Sequence, residues 1–274
     1  MILAGVMGWP IAHSRSPRLH GWWLRHHGID GAYVPLAVRP ESLEQALRAL
    51  PVLGFAGCNL TIPHKELALP FLDHLDHDAR RIGAANTIIV RPDGSLEGRN
   101  TDAFGFIAHL RASAPAWQPA QRSAVVLGAG GAARAIVCAL ADAGVREIHI
   151  VNRRRDRAVA LATAFGAAAA GWDDLPRLLA GAGLLVNATS LGMSGQPPLH
   201  VDLSPLPAGA VVDDIVYVPL ETPLLAQARA RGLTAVGGLG MLLHQARPGF
   251  EAWFGTLPAA EPDLVAFLEA DIRG

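Results

Sequence analysis

The run Ser123-Ala124-Val125-Val126-Leu127 leads directly into Gly128-Ala129-Gly130-Gly131-Ala132-Ala133 and then into a helix-forming stretch. A strand, a glycine-rich turn and a helix in that order make the G-x-G-x-x-A form of a dinucleotide-binding turn. Gly128 permits the tight turn, Gly130 lets the backbone approach a pyrophosphate, and the small Ala133 lets helix and strand pack closely. The helix start aims unpaired N–H groups at the phosphates. The following strand, REIHIV, ends at Asn152. A site for NAD usually places Asp or Glu here to hold the ribose hydroxyl. The chain instead reads Asn152-Arg153-Arg154-Arg155-Asp156-Arg157. Arginine can clamp a 2′-phosphate bidentately, so NADP is expected over NAD, with Asp156 pointing the other way.

Around this turn, strand and helix patterns alternate: SAVVL, a helix over 131–143, REIHIV, a helix over 154–165, LLVNA, AVVDDIV and a helix over 221–231. Such alternation implies a parallel sheet with crossover helices. Upstream, strands are expected over 2–7, 32–38 and 55–60, with helices from Ser16-Pro17 to near Gly28, over 41–50 and over 101–112. NTIIV, PDG and SLEG read as a hairpin. Helices are expected over 239–254 and 262–271. APAWQPAQ (114–121) reads as a linker. The length, 274 residues, exceeds one typical domain of about 100–150 residues and suggests two.

Composition removes whole classes of function. Lys plus Arg is 23 and Asp plus Glu 24, a net charge of −1 that gives no electrostatic footprint for nucleic acid or anionic membrane. No apolar run approaches the roughly 20 residues that span a bilayer. The opening MILAGVMGWP lacks the basic start and apolar core of a signal peptide. Cys58 and Cys138 cannot build a disulfide framework, and no His, Cys and carboxylate set has the spacing of a zinc dehydrogenase. A soluble, cytoplasmic α/β protein without a metal is expected, with a homodimer the one protein partnership left open.

Rare residues are informative here. Of the 23 basic residues, 22 are Arg and one is Lys, Lys65. Arginine supplies charge but cannot release a proton near neutral pH, and its broad fork does not fit a site shaped for an ammonium. Lys65 is therefore a candidate for amine chemistry, against the alternative of chance survival at the surface. The five asparagines, Asn59, Asn86, Asn100, Asn152 and Asn187, all fall at the ends of strand-like runs. Turn chemistry explains any one of them. All five together suggest a crevice lined for a polar ligand.

Eight fragments, GWPIAHSRSP, NLTIPHK, GAANT, RNTDAFGF, GAGGAARA, NATSLGM, DIVYVPLETPLL and GLGMLLHQ, occur in the order found in shikimate dehydrogenases. The chain resembles that family over nearly its whole length. The resemblance implies an oxidoreductase acting on CH–OH that reduces 3-dehydroshikimate to shikimate with NADP, in aromatic amino acid biosynthesis. It implies an α/β fold of two domains with the active site in the cleft between them. Residues 1–113 plus 238–274 would form the substrate domain, the C-terminal helices returning to it, and 114–237 a Rossmann-like NADP domain. The family's substrate contacts carry over to Ser14, Ser16, Thr61, Lys65, Asn86, Asp102, Tyr217 and Gln245, with Lys65 and Asp102 as the proton-transfer pair. Its cofactor contacts carry over to Gly128, Ala129, Gly130, Gly131, Ala132, Ala133, Asn152, Arg153, Arg154, Ile215 and Gly238. Two departures stand out: Gly21, where Asn commonly follows the histidine, and Arg154, where Thr is common. An NAD-preferring quinate/shikimate or aminoshikimate dehydrogenase would share these features. A catalytically silent sensor would not need both Lys65 and Asp102.

Overall fold

The computed structural model describes all residues, Met1 to Gly274. Its strands are β1 (Ile2–Gly8), β2 (Gly31–Ala37), β3 (Phe55–Leu60), β4 (His74–Leu75), β5 (Thr87–Val90), β6 (Leu96–Arg99), β7 (Ser123–Leu127), β8 (Ile148–Val151), β9 (Ala168–Ala170), β10 (Ala182–Asn187), β11 (Val211–Asp214) and β12 (Thr234–Gly237). Its α-helices are α1 (Ser16–His26), α2 (Leu43–Val52), α3 (His64–Leu67), α4 (His77–Ile82), α5 (Asp102–Ser113), α6 (Gly131–Asp142), α7 (Arg155–Phe165), α8 (Leu175–Gly181), α9 (Pro223–Ala230), α10 (Leu239–Phe254) and α11 (Pro262–Arg273). None is long and apolar enough to cross a membrane.

Two compact units result. One comprises Met1–Asp102 with Leu243–Asp271, the other Ala103–Leu242 with Ile272–Gly274. The divisions fall at the start of α5 and inside α10. Phe106, Leu110, Ala114 and Met241 explain why: all four are buried in the core of the second unit, and Trp117 packs against it.

The first unit holds a mixed sheet in the order β2-β1-β3-β5-β6-β4. β1 pairs in parallel with β2 and β3, whereas β5 runs antiparallel to both β3 and β6. This reversal sets up the site. Because β5 starts where β3 ends, Asn59, Thr87 and Arg99 lie in register across three strands. Residues just outside these strand ends, Thr61, Asn86 and Asn100, therefore gather at one edge. Leu43, Leu47 and Leu50, at helical spacing on α2, bury one stripe with Cys58, Leu60 and Ile88.

The second unit is a six-stranded, wholly parallel sheet in the order β12-β11-β10-β7-β8-β9. Numbered by entry into the sheet this is three-two-one-four-five-six, the order of doubly wound dinucleotide-binding folds. Along β7, Ala124 and Val126 enter one buried cluster while Val125 and Leu127 enter another. That two-residue alternation, with both sets apolar, belongs to a sheet covered on both faces.

One buried group in this sheet carries a pH signature. Asp213 on β11 lies between Val186 and Val236, fully buried, and its Oδ2 has no hydrogen-bond partner. Burial, aided by the neighbouring Asp214, holds its carboxyl well above its ordinary value of 3.8. The folded state thus keeps it neutral while the unfolded chain ionises it. Its contribution to stability is full below the unfolded value and is lost as pH rises through the folded one. Asp213→Val is expected to raise the melting temperature at neutral pH, and to raise it less near about pH 4. Thermal melts across that range check this; an equal or lower melting temperature at neutral pH would contradict it.

Candidate active site

The centre of the first unit's polar edge is an ion pair. Lys65 Nζ donates to Asp102 Oδ2 at 2.5 Å, with the side chains 16% and 4% exposed. Lys65 lies on α3, a single turn that begins after Thr61, whose carbonyl accepts from His64 N at 2.8 Å. His64 anchors that turn. Its Nε2 meets the Val38 carbonyl at 2.8 Å, and since a carbonyl only accepts, this nitrogen carries the proton. Burial lowers the pKa of His64, which favours the neutral ring.

The GAANT segment locks the lysine turn to the aspartate. Gly83 ends α4 with φ of 70°, a left-handed conformation suited to glycine. Ala85 N then donates to the Lys65 carbonyl at 2.8 Å, and Ala84 O accepts from Asn100 Nδ2 at 2.8 Å. Asn100 Oδ1 in turn accepts from Asp102 N at 3.0 Å. Both functional side chains are thus tied to one short loop.

Asn86 binds the second carboxylate oxygen. Its Nδ2 donates to Asp102 Oδ1 at 2.9 Å and lies within reach of Thr101 Oγ1 at 2.9 Å and Gln245 Oε1 at 3.1 Å. Gln245 comes from α10, and its carbonyl accepts from Thr101 Oγ1 at 2.8 Å. Of the expected substrate contacts, Lys65, Asn86, Asp102 and Gln245 therefore form one hydrogen-bonded set. Ser14 and Ser16 stand apart at the start of α1, where Ser16 N donates to Ser14 Oγ at 3.3 Å. The first turn of α1 carries no acidic residue of its own, and the Asp271 carboxylate of α11 pairs with Arg15 and Arg18 there at 3.1 Å each. Thr61 bridges β3 and α3, its N donating to the Met7 carbonyl at 2.9 Å. Tyr217 belongs to the second unit, half-buried in the loop after β11.

Thr101, Thr87 and Asn59 are the polar residues that a search for ligand-binding groups overlooks. All three are buried and bonded to the set. Asn59 carries a sequence signal through the asparagine pattern, and Thr87 and Thr101 through the GAANT and RNTDAFGF fragments. The register of β3, β5 and β6 shows what the three bond to.

In the second unit, Gly128 ends β7 at the switch point beside β10. Its φ is +112°, and an added Cβ would lie 3.0 Å from the Ala188 carbonyl oxygen, so both backbone and space demand glycine. At Gly130 nothing lies within 4 Å of such a Cβ, leaving the backbone open to approach. Gly130 precedes α6 with no side chain capping the helix, so its first N–H groups remain available. Asn152 Nδ2 donates to the Arg154 carbonyl at 2.8 Å, shaping the turn after β8. Arg153 and Arg154 are exposed on that turn, just ahead of α7. Ile215 N donates to the Asn187 carbonyl at 3.2 Å, and Gly238 packs so tightly on the Ile215 backbone that no Cβ fits. Asp214 fastens these loops: its carboxylate accepts from Asn187 Nδ2, Val216 N and Thr222 Oγ1 at 2.7–3.1 Å.

Residues 6–88 match the family model described as the shikimate dehydrogenase substrate binding domain, and 112–194 the one described as shikimate / quinate 5-dehydrogenase. The shikimate dehydrogenase (NADP(+)) of Paramagnetospirillum magneticum is 60% identical over 268 residues, covering 97% of either chain. The chain belongs to the shikimate dehydrogenase family. Another member, the shikimate dehydrogenase (NADP(+)) of Rhodospirillum rubrum, is 61% identical over 270 residues, 96% of this chain and 95% of the relative. A solved shikimate 5-dehydrogenase from Thermus thermophilus, in complex with NADP(H) and shikimate, superposes with a TM-score of 0.85 at 38% identity. The match covers 100% of this chain and 99% of that one.

Proposed function

We propose that this chain catalyses the reversible, NADP-dependent reduction of 3-dehydroshikimate to shikimate, an oxidoreductase step in aromatic amino acid biosynthesis. The observation that carries the reading is the Lys65–Asp102 pair at 2.5 Å, held among Asn86 and Gln245 in a chain of this family. On this reading residues 1–113 plus 238–274 serve the substrate and 114–237 the dinucleotide. The chain works in the cytoplasm on small molecules, with no nucleic-acid or membrane partner.

The cofactor's requirements fit the residues present. Gly128–Ala133 and the start of α6 would receive the pyrophosphate, and the open backbone at Gly130 leaves room for it. Asn152, Arg153 and Arg154 would hold the adenosine end, with Ile215 and Gly238 supporting the other. When bound, NADP(H) supplies the hydride chemistry that no side chain can.

The chain's own residues bind, orient and move a proton. Ser14 and Ser16, at the positive end of α1, suit the substrate carboxylate without a full counter-charge. Asn86, Asp102 and Gln245 offer donors and acceptors to the ring hydroxyls, with Thr61 and Tyr217 completing the contacts. An analogue lacking a hydroxyl would leave these buried groups unpaired. In the reductive direction the Lys65 ammonium donates its proton to the oxygen as carbonyl becomes alcohol. Asp102 holds that ammonium in place and balances its charge. The lysine side chain is 16% exposed, so solvent can restore the proton. Oxidation reverses each step.

Product analysis tests the reading: NADPH and 3-dehydroshikimate mixed with the purified chain should yield shikimate by proton NMR, with NADPH consumed in equal amount. No consumption would overturn it. Cofactor choice makes a separate prediction. Replacing Arg153 and Arg154 with Ala is expected to raise the Michaelis constant for NADP about tenfold or more, with NAD kinetics little changed. Steady-state rates check this, and equal losses with both cofactors would assign the arginines to the fold.

A further inference from the structure

A chain of oriented hydrogen bonds leads from the apolar interior of the first unit to Asp102. Its polarity can be read link by link. Asn59 Nδ2 faces the backbone carbonyl of Asn86 at 3.0 Å, which can only accept. The opposite end of that amide, Oδ1, therefore accepts, and Tyr33 OH donates to it at 2.6 Å. Asn59 Nδ2 also reaches Thr87 Oγ1 at 3.1 Å, so the threonine hydroxyl accepts there and directs its own proton to Asn86 Oδ1 at 3.1 Å. Asn86 Oδ1 also accepts from the backbone N of Thr101 at 2.8 Å. With its oxygen engaged, Asn86 turns Nδ2 toward Asp102 Oδ1.

The origin of the chain is rigid. The Tyr33 ring stacks on His20 with centroids 3.9 Å apart and planes 2° from parallel, and Trp23, Phe250 and Trp253 lie around His20. His20 is fully buried, and burial lowers its pKa to about 3, so the stack is neutral. Tyr33 and Asn59 are both buried, so water does not replace a lost partner easily.

We infer that Tyr33 is a positioning residue for the reaction: by holding Asn59 Oδ1 it keeps the Asn59–Thr87–Asn86 chain rigid, and so steadies the Asp102 carboxylate for Lys65. This rests on the function proposed above. Without the tyrosine hydroxyl, Asn59 Oδ1 is left buried and unpaired, so Asn59 shifts and the next two links loosen, although their polarity stays set by the Asn86 carbonyl and the Thr101 N–H. Binding groups stay in place, so the effect falls on the rate of the chemical step more than on substrate affinity.

The test measures single-turnover oxidation of shikimate with NADP. Tyr33→Phe is expected to slow it about fivefold, with the Michaelis constant for shikimate within about twofold of wild type. In an Asp102→Asn background the same substitution should have no further effect, because the chain then has nothing left to align. Thr87→Ser keeps the hydroxyl and should hold the wild-type rate, whereas Thr87→Val should match the loss in Tyr33→Phe. An unchanged rate in Tyr33→Phe, or an equal fold-loss in both backgrounds, would overturn the inference and leave the wild-type activity standing. If Tyr33→Phe does not fold, equal rates for Thr87→Ser and Thr87→Val overturn it. A wild-type chain that does not oxidise shikimate would overturn the function itself.

Discussion

Lys65→Arg is expected to lose about a hundredfold or more in turnover while remaining folded, and Lys65→Ala the same. The arginine keeps the charge, so a purely electrostatic role would survive the change. Two features of the site speak against such a role. Nζ sits 2.5 Å from Asp102 Oδ2 on a one-turn helix whose backbone is bonded to Ala85, so there is little slack for a longer, planar head. A guanidinium also does not give up a proton near neutral pH. Shikimate binding should weaken by only about tenfold or less, since the other contacts remain. Steady-state kinetics on the folded variants separate the two quantities. Near-normal turnover in Lys65→Arg would mean that only charge is needed there.

Asp102→Asn should cost turnover on a similar scale, about a hundredfold. Both carboxylate oxygens accept hydrogen bonds, one from Lys65 Nζ and the other from Asn86 Nδ2. An amide has one accepting end. Whichever way it turns, its NH₂ confronts a donor, either the ammonium or the buried Asn86 amide. The double variant Lys65→Ala with Asp102→Asn should lose less than the product of the single losses, because the pair acts as one unit. Multiplicative losses would show that the two residues act independently.

Much of this site is legible in the chain itself. The Gly128–Ala133 turn announces itself because backbone conformation and space both demand glycine at Gly128, and Gly130 leaves the backbone open. Lys65 stands out by rarity, and the asparagines by their positions at strand ends. Other elements carry weak signals. β9 is built of three alanines, poor strand formers, and exists because it pairs with His149–Val151 of β8. β4 has two residues and β12 four, too short for a period to show. α4 has six residues, too few for a helical period to show, although Asp76 caps it through Ala79 N at 2.6 Å and Gly83 closes it. The Tyr33–Asn59–Thr87 chain is the least legible. Its members are far apart in sequence: Tyr33 reaches Asn59 across β1, and Asn59 meets Thr87 through the antiparallel pairing of β3 with β5, properties of pairing register and not of any local pattern.

The most direct test is a four-way comparison of initial rates on the purified wild-type chain: shikimate and quinate, each with NADP and with NAD. Shikimate with NADP should be the fastest pair, with NAD and quinate each lowering kcat/KM by about tenfold or more. Equal or faster turnover of quinate with NAD, or no turnover of shikimate with either cofactor, would contradict the proposed function.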